Sequence, residues 1–344
     1  MQLDSNHLYQ DGGWVNPVPL LDCDSTFIFG YGARGIGKTY GLLSELRKRA
    51  LDGLGKFILL RRQQTQADFV GKQEFSPFKP IDMDNNFFTD VKKLDKFTSA
   101  FYVDDYIIGY IMALSTITNI RGFDASDVEY MFYDEFIPEK HARPIKNESD
   151  ALWNAYETMN RNRELFGRKP MKLVGMSNAN DISNEIFLSL GVVDKIDRMK
   201  RKGQSIYINR EKSLAIIDYQ NAEISDKKRK TALYRLTEGS DFQKMAIENE
   251  FLNEFSSEYR SIPLKECVPL VQVGEICIYT HKSIGKYYVS LHTTGTPVGI
   301  YGSGNTERQR FKNAYFFLWQ SYLTRRIVFE SRLAEILFRK YFDT

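Results

Sequence analysis

Residues 26–39 read TFIFGYGARGIGKT, and the organisation of the chain can be worked out from them. The apolar run at 26–31 predicts a buried strand, the glycines after it predict a tight turn, and the spacing of apolar residues at 38–51 predicts a helix. A strand, a glycine-rich turn and a helix in this order match the P-loop pattern G-x-x-x-x-G-K-[ST]. The pattern predicts a phosphate-binding cradle between the strand and the helix.

The residues of the P-loop have predicted tasks in binding a nucleotide. Glycines let backbone N–H groups turn toward phosphates without a clashing Cβ, and the helix behind them adds the positive end of its dipole. Lys38 would reach the β- and γ-phosphates, and the Thr39 hydroxyl would hold Mg²⁺. We therefore expect ATP and Mg²⁺ as ligands. The nucleotide-binding residues predicted by the pattern are Gly32, Ala33, Arg34, Gly35, Ile36, Gly37, Lys38, Thr39 and Tyr40.

A second buried strand is predicted at 128–133, and Asp134 and Glu135 stand at its carboxyl end. Beside a P-loop, Asp134 would hold Mg²⁺ and Glu135 would polarise the attacking water as a general base. The chain between Lys38 and Asp134 has room for one more strand, FILL at 57–60. An inserted strand and a Glu next to the metal-binding Asp are typical of the ASCE-type branch of P-loop ATPases, which includes ring-shaped motors.

Three arginines and one asparagine are candidates for contacting the γ-phosphate. Arg161 and Arg163 lie near the end of a helix predicted at 148–166, and Arg121 lies in the loop before the acidic strand. An arginine finger must stay charged and grip phosphate oxygens with two donors, and in a ring it can reach the neighbour's nucleotide. Asn178 ends a further predicted strand, where its side chain could act as a catalytic sensor. The same positions also suit a solvated helix end and an ordinary turn.

The pattern of elements divides the chain into three predicted parts. Alternating strands and helices at 1–197 predict a P-loop ATPase domain with a mostly parallel α/β sheet. Residues 198–254 are polar and strongly charged, which indicates a linker or lid subdomain. Short apolar runs at 268–301 predict an antiparallel meander, and one or two closing helices follow at 306–341. Residues 255–344 are therefore expected to form a second, α+β domain.

Composition excludes some classes of protein. The net charge of +3 is too mild to indicate nucleic-acid binding by itself. Basic clusters at 198–202 and 227–230 suit sequence-independent contacts with DNA phosphates, although they suit a solvated linker equally well. Three widely spaced cysteines indicate a reduced, cytosolic protein without a zinc site. We expect no membrane association, because no apolar run approaches about 18 residues.

Four motifs together resemble one family. They are GARGIGKT at 32–39, FYDEF at 132–136, TMNRNREL at 158–165 and SNA at 177–179. These motifs resemble the double-stranded-DNA packaging ATPases of small tailed bacteriophages of the phi-twenty-nine type, and RKT at 229–231 is similar as well. The likeness covers about residues 25 to 260 and is weaker over the remainder.

The resemblance implies a function, an assembly and a set of partners. The protein would form a homopentameric ring in the host cytoplasm, transiently at the portal vertex of the procapsid, and pump viral DNA inward with ATP. Arg161 would act on the nucleotide of the neighbouring subunit. The implied partners are double-stranded DNA, the portal protein and a packaging RNA. The residues implied in ATP hydrolysis are Lys38, Thr39, Asp134 and Glu135.

The resemblance also implies a C-terminal ribonuclease-H-like domain that has lost its nuclease activity and docks on the portal. The sequence supports the loss, because a two-metal nuclease needs several converging carboxylates and residues 286–301 contain no Asp or Glu. The chain departs from the family where Gln63 and Gln64 stand in place of a basic residue thought to face the DNA. DNA contacts would then fall to another basic residue of this region, among Arg61, Arg62, Lys72 and Lys79.

Two other functions are compatible with the sequence. The same site could drive a load other than DNA, since a fold does not fix the function of its site. The protein could also be a nucleotide-gated structural adaptor of the capsid vertex with slow turnover. ATPase activity that DNA stimulates would argue against the first alternative. A Glu135→Gln variant that behaved like the wild type would favour the second.

Overall fold

The computed structural model describes residues 3–120, 122–139, 142–178, 182–220, 223–248, 257–283 and 285–342. The chain folds into two compact units. The first consists of residues 1–190 and 198–252, and the second consists of residues 191–197 and 253–344. Within the described residues, the first unit has one sheet of nine strands and the second has one sheet of six.

The sheet of the first unit has a parallel centre with antiparallel edges. Its strands are β1 (Phe27–Gly32), β2 (Lys56–Arg61), β3 (Asp90–Lys93), β4 (Ser99–Val103), β5 (Tyr106–Ala113), β6 (Val128–Asp134), β7 (Lys172–Asn178), β8 (Ile206–Asn209) and β9 (Leu214–Tyr219). Their order across the sheet is β3-β4-β5-β2-β6-β7-β1-β9-β8. From β5 to β9 all neighbours pair in parallel, whereas β3, β4 and β8 pair antiparallel. The prediction of a mostly parallel α/β sheet is confirmed.

Helices accompany these strands, as a parallel sheet that is buried on both faces requires. The short apolar strands bury nearly every side chain, as in the FILL segment of β2. The helices up to residue 248 are α1 (Val18–Asp22), α2 (Lys38–Leu51), α3 (Gln64–Val70), α4 (Lys79–Asn85), α5 (Glu148–Asn160), α6 (Glu185–Leu190), α7 (Val193–Arg201), α8 (Glu223–Arg229), α9 (Ala232–Leu236) and α10 (Asp241–Glu248).

The strand between the P-loop strand and the acidic strand is not FILL, the one expected there. FILL precedes the acidic strand along the chain, but in the sheet β2 lies on the far side of β6 from β1. The strand that separates β1 from β6 is β7, which pairs in parallel with both. Chain order and spatial order differ here because the crossover connections of a parallel sheet can pass over neighbouring strands.

The prediction of a linker or lid at 198–254 is wrong for part of this segment. Residues 206–219 form β8 and β9, and β9 pairs with β1 in the middle of the first unit. All six residues of β9 are buried. This strand is therefore part of the core, and only the helices α8 to α10 that follow it remain candidates for a lid.

The helix expected at 148–166 ends earlier, at Asn160. Arg161 and Asn162 both have left-handed backbone angles, with φ of 46° and 56°, which no α-helix accommodates. A separate turn of 3₁₀ helix then covers Arg163–Phe166. Arg161 is consequently held at a sharp corner of the chain.

The second unit is an α+β structure. Its strands and helices are β10 (Glu258–Tyr259), β11 (Cys267–Val273), β12 (Ile276–His281), β13 (Tyr287–Ser290), β14 (Gly299–Tyr301), α11 (Asn305–Leu323), β15 (Ile327–Phe329) and α12 (Arg332–Phe342). The meander of β11, β12 and β13 is antiparallel, as predicted. The expected closing helices are α11 and α12, and the short buried strand β15 between them was missed.

Among the helices in the described parts of the chain, none combines the length and the apolar character needed to cross a membrane.

Candidate active site

Polar residues from four strands meet at the carboxyl edge of the parallel sheet. The P-loop leaves β1 after Gly32, Asp134 ends β6, Asn178 ends β7 and Arg61 ends β2. Parallel strands expose their carboxyl ends at one edge, where ligands of α/β proteins bind. The register places Gly32 directly opposite Asn178. Residues that are far apart in the sequence therefore share one site.

The P-loop adopts a conformation that depends on its glycines. Gly35 and Gly37 have φ angles of 62° and 83°, in the left-handed region that disfavours residues with a side chain. A Cβ added to Gly37 would lie 3.0 Å from the indole ring of Trp14. Helix α2 begins at Lys38, so the N–H groups of its first turn are available to a ligand at the loop.

Lys38 is buried within the cradle. Its Nζ donates hydrogen bonds to the carbonyl oxygens of Gly32 at 3.2 Å and Ala33 at 2.6 Å, and to Asn178 Oδ1 at 3.1 Å. Burial lowers the pKa of Lys38 to about 7; Asp134 opposes this shift, and the nearby cations Lys228 and Arg34 add to it. An anion at the loop would favour the charged ammonium.

The acidic strand and the P-loop are in direct contact. Thr39 Oγ1 donates a hydrogen bond to Asp134 Oδ1 over 3.0 Å. Asp134 is buried, and burial raises the pKa of its carboxyl group even though the guanidinium of Arg61 counteracts the shift. Hydroxyl and carboxylate oxygens are ligands that Mg²⁺ prefers. The geometry agrees with the predicted metal-binding roles of Thr39 and Asp134.

Arg61 also lies in this site, which was not predicted from the sequence. Its Nη1 pairs with Asp134 Oδ2 at 2.5 Å and its Nη2 with Glu135 Oε2 at 2.9 Å. The signal in the sequence was the arginine at the end of the FILL strand, but only the parallel pairing of β2 with β6 shows that both strands end together. The guanidinium offsets the repulsion between the two neighbouring carboxylates.

Glu135 differs from Asp134 in exposure and in backbone conformation. Its side chain is 52% exposed, and its φ of 58° lies in the left-handed region. Its backbone N–H donates to the carbonyl oxygen of Met176 over 2.7 Å, which fixes this conformation at the end of the strand. A left-handed conformation costs energy for a non-glycine residue, and such residues recur at active sites as well as in turns. The turn directs Glu135 away from the core.

The other residues predicted to bind nucleotide divide into two groups. Ala33 and Ile36 are buried and shape the loop from below. Arg34 forms an ion pair with Glu139, and the hydroxyl of Tyr40 donates to Asp84 Oδ2 over 2.8 Å. A cavity of about 740 Å³ lies beside the loop. It is lined by Gln10, Trp14, Val15, Pro17, Gly35, Gly37, Tyr40, Gly41, Ser44, Glu45, Pro80 and Asp84.

The site fits a magnesium–triphosphate group. The loop offers glycine-rich backbone, a helix N-terminus and cationic side chains, which together suit phosphate oxygens. The Nε of Arg34 is buried and finds no acceptor among the described residues, so it can donate to such a group. Thr39 and Asp134 lie at the edge of the same loop and supply oxygen ligands for the cation.

The candidate arginine fingers have different surroundings. Arg161 is about half exposed, and its Nη2 donates to the carbonyl oxygen of Phe123 over 2.6 Å. Arg163 is buried and binds the carbonyl oxygens of Ala125 and Val128, which ties the 3₁₀ turn to the loop before β6. Arg121 lies outside the described residues. Of the two described candidates, only Arg161 has a side chain that another subunit could reach.

One candidate for gripping DNA is excluded by burial. Arg62 is 2% exposed, and its guanidinium makes two hydrogen bonds to the carboxylate of Glu148, of 2.7 and 2.6 Å. The predicted DNA contact of Arg62 is therefore wrong, because the paired side chain faces the core. Lys72 and Lys79 are exposed, and their assignment to DNA stays a prediction.

Comparison with known proteins places the chain in a family. The profile of the Podovirus DNA encapsidation protein (Gp16) family matches residues 10–279, which is well over half of the chain. The chain belongs to this family. It is a viral DNA-packaging protein, and the resemblance drawn from its motifs is confirmed. The match includes the P-loop, the Asp134–Glu135 pair and Arg161, and it continues into β12 of the second unit.

Individual relatives agree with the family assignment. A DNA packaging protein of Bacillus phage B103 is 29% identical over 244 residues, covering 68% of this chain and 67% of the relative. The DNA packaging protein of Bacillus phage phi29 is 28% identical over 249 residues, covering 70% and 67%. A chain of the bacteriophage Phi-29 viral genome packaging motor assembly is 19% identical and superposes with a TM-score of 0.69, covering 96% of this chain and 99% of that one. At this identity the superposition shows a shared fold.

Proposed function

We propose that the protein hydrolyses ATP at this site and uses the energy to move double-stranded DNA into a preformed capsid. The observation that carries the proposal is the 3.0 Å hydrogen bond between Thr39 and Asp134. It joins the phosphate cradle to the acidic strand, as metal-assisted phosphoryl transfer requires. That DNA is the polymer moved is inferred from membership of a DNA encapsidation family.

The residues of the cradle would hold and orient the nucleotide. Bound Mg–ATP supplies the phosphoanhydride bond to be cleaved, and its cation neutralises charge on the phosphate oxygens. The Lys38 ammonium would exchange its carbonyl partners for phosphate oxygens, while Thr39 and Asp134 hold the metal ion. Asn178 Oδ1 accepts a hydrogen bond from Lys38 and so links β7 to the cradle. The nucleoside would lie in the adjoining cavity, against Trp14 and Tyr40.

Glu135 would orient the attacking water and accept its proton. The half-exposed carboxylate stands next to the buried Asp134 and is reachable by a water molecule in the mouth of the site. Arg61 holds the two carboxylates together before the metal ion binds. Their different burial suits their different tasks, since the buried group binds the cation and the exposed group handles the proton.

Arg161 would complete the site of a neighbouring subunit. It is held at a left-handed corner, is about half exposed and contacts the loop at Phe123 of its own chain. A guanidinium in such a position can donate to phosphate oxygens across a subunit boundary. A homopentameric ring at the portal vertex agrees with this arrangement, and a mixture of Arg161→Ala with Lys38→Ala protein, each inactive alone, should then regain ATP turnover, because an intact P-loop can meet an intact Arg161 across some subunit boundaries. A mixture that assembles into mixed rings and stays inactive would exclude a trans-acting role.

The second unit would be a ribonuclease-H-like domain that docks on the portal and a packaging RNA without cutting DNA. The antiparallel meander β11–β13 supports the fold proposal. Two carboxylates of the second unit that lie outside this meander accept hydrogen bonds, Glu330 from Ser290 at 2.7 Å and Glu335 from Tyr322 at 2.8 Å. Supercoiled plasmid incubated with the protein and Mg²⁺ or Mn²⁺ should stay intact. Nicking that tracks with the pure protein would overturn the proposal.

The first experiment is ATP turnover by the purified full-length protein, with and without double-stranded DNA. It should be run at low and moderate salt, because contacts with phosphates weaken as salt rises. Turnover should rise with DNA and should be absent in a Lys38→Ala variant. Turnover that ignores DNA at every salt concentration, also after portal protein is added, would overturn the DNA-coupled function.

A further inference from the structure

Lys228 of helix α8 reaches the P-loop from outside the four strands that build the site. Its Nζ donates a short hydrogen bond to the carbonyl oxygen of Arg34. The same atom lies only 2.8 Å from the position that a Cβ on Gly35 would take, so a side chain at residue 35 would displace the ammonium. Lys228 therefore lies directly over the middle of the phosphate cradle.

Its neighbours on the helix behave differently. Lys227 pairs with Glu223 at 2.7 Å, and Arg229 lies 3.6 Å from Asp226, both on the surface of α8. The basic cluster at 227–230 was expected to contact DNA or to be a solvated linker. For Lys228 neither expectation fits, because its side chain turns inward to the loop.

Three cations, Lys38, Arg34 and Lys228, converge at the cradle. Arg34 is paired with Glu139, whereas the contacts that the structure gives the ammonium of Lys228 are a carbonyl oxygen and, at 5.3 Å, the ring of Tyr234. Burial lowers the pKa of Lys228, and the charge of Arg34 lowers it further. Cations that crowd together in a partly buried site are unfavourable until an anion joins them.

The helices around Lys228 are tied to the same point of the loop. The backbone N–H of Arg34 donates to the carbonyl oxygen of Ala246 in α10 over 2.9 Å. Tyr234 of α9, which lies under the Lys228 ammonium, stacks on Phe242 of α10. A change in the position of Lys228 would therefore affect all three helices, α8, α9 and α10.

We infer that Lys228 is a further phosphate-binding residue, which exchanges the Arg34 carbonyl for an oxygen of a bound triphosphate and so draws helices α8–α10 onto the nucleotide. This inference rests on the proposed binding of ATP in the P-loop. The ligand class is an inorganic or nucleoside triphosphate. The role differs from a DNA contact because the side chain faces the cradle.

Calorimetric titration of the full-length protein with Mg–ATP and with Mg–tripolyphosphate tests the inference. Lys228→Ala should weaken the binding of both ligands by about 10-fold or more, since a hydrogen bond to a charged group contributes enough for such a factor. Lys228→Arg should recover part of the affinity. Lys244→Ala removes an exposed lysine from α10 of the same group of helices and should bind like the wild type.

Amide hydrogen exchange gives a second readout that does not depend on turnover. Saturating Mg–tripolyphosphate should slow exchange in residues 223–248 of the wild type and of Lys244→Ala, but not of Lys228→Ala. If Lys228→Ala matches Lys244→Ala in both experiments while Lys38→Ala loses binding, the inference is wrong and the P-loop assignment stands. If Lys38→Ala still binds like the wild type, the proposed function itself fails.

Discussion

The first unit and the second unit each bury a carboxylate beside an arginine, and the two carboxylates have different surroundings. In the first unit, Asp134 contacts Thr39 in the first turn of α2 and Arg61 at the end of β2. Glu135 next to it is half exposed. A metal ion can enter this arrangement because its ligands already face one another at an open edge.

In the second unit, Glu335 of α12 is 1% exposed. It accepts hydrogen bonds from the hydroxyl groups of Ser257 at 2.7 Å, Tyr322 at 2.8 Å and Tyr259, and it lies 3.5 Å from Arg332. Neutral donors from several elements surround this carboxylate. Such a saturated network holds a fold together and leaves little room for a ligand.

The difference teaches how a buried charge can be interpreted. Partners that are mostly charged and stand at an open sheet edge indicate a site prepared for an ion. Partners that are mostly hydroxyl groups inside a closed core indicate a structural role. Mutations at the open sheet edge should therefore lower catalysis, whereas mutations in the closed core should lower stability.

The largest effect is expected for Glu135→Gln. The amide cannot accept a proton from water, so ATP turnover should fall by about 10²- to 10⁴-fold, the usual contribution of a general base. The free energy of unfolding should hardly change, because the side chain is half exposed. Steady-state ATPase assays and urea unfolding measure the two quantities. Undiminished turnover would remove Glu135 from the mechanism and favour a slow structural adaptor.

Glu335→Ala should show the opposite behaviour. It removes the buried acceptor of three hydroxyl groups and a carboxylate that lies beside Arg332, so stability should fall by about 3–5 kcal/mol. ATP turnover per folded molecule should be retained. Urea unfolding followed by circular dichroism gives the stability, and Glu335→Gln, which keeps an acceptor, should be milder. A stable Glu335→Ala variant that had lost ATPase activity would contradict the distinction between the two units.

Arg62→Ala tests whether burial separates structural from functional arginines within the first unit. Arg62 is adjacent to Arg61 in the sequence, yet its bidentate pair with Glu148 is closed off in the core, where the Tyr133 hydroxyl also binds Glu148 at 2.5 Å. We expect a loss of stability of about 3 kcal/mol, as for other broken buried pairs. Replacing both partners, in Arg62→Met with Glu148→Leu, should restore much of it. If Arg62→Ala were as stable as the wild type, burial would be a poor guide to the role of these arginines.

Some parts of this structure were predictable from the sequence because their signals are local. The P-loop, the Asp134–Glu135 pair and their two strands follow from short apolar runs that end in characteristic residues. Strand β9 was missed because charged residues on both sides, as at 210–212, and Asp218 within it made its five apolar residues look like part of a polar linker. Strand β15 was missed because it has only three residues.

Other features could not be predicted because they depend on non-local pairing. The position of Arg61 between two carboxylates follows from the parallel pairing of β2 with β6. The approach of Lys228 to the carbonyl oxygen of Arg34 joins residues that are 194 positions apart in the sequence. Neither the order of strands in a sheet nor the direction of a long side chain is fixed by periodicity.

The smallest effect on stability is expected for Lys172, a partly buried cation of the first unit that lies away from the site. Its Nζ donates to the carbonyl oxygens of Cys23 at 2.6 Å and Ser25 at 3.0 Å. Lys38 has similar carbonyl partners. Lys172 can therefore serve as a structural cation against which the functional cation Lys38 is compared. Burial lowers the pKa of Lys172; the charged or titratable groups that also act on it are Cys23, Arg49, Asp22 and Asp24.

The sign of the pH effect follows from that lowered pKa. Between the folded pKa and the higher unfolded value, the unfolded chain binds more protons at Lys172, so its contribution to stability increases as pH rises toward the unfolded pKa. Lys172→Met should remove this slope while leaving the affinity for Mg–ATP unchanged. Urea midpoints measured across the alkaline range, for the wild type and the variant, give the difference. A slope that persists in Lys172→Met would have to come from another buried cation, and Lys38→Met measured in the same way would show whether the cradle is its source.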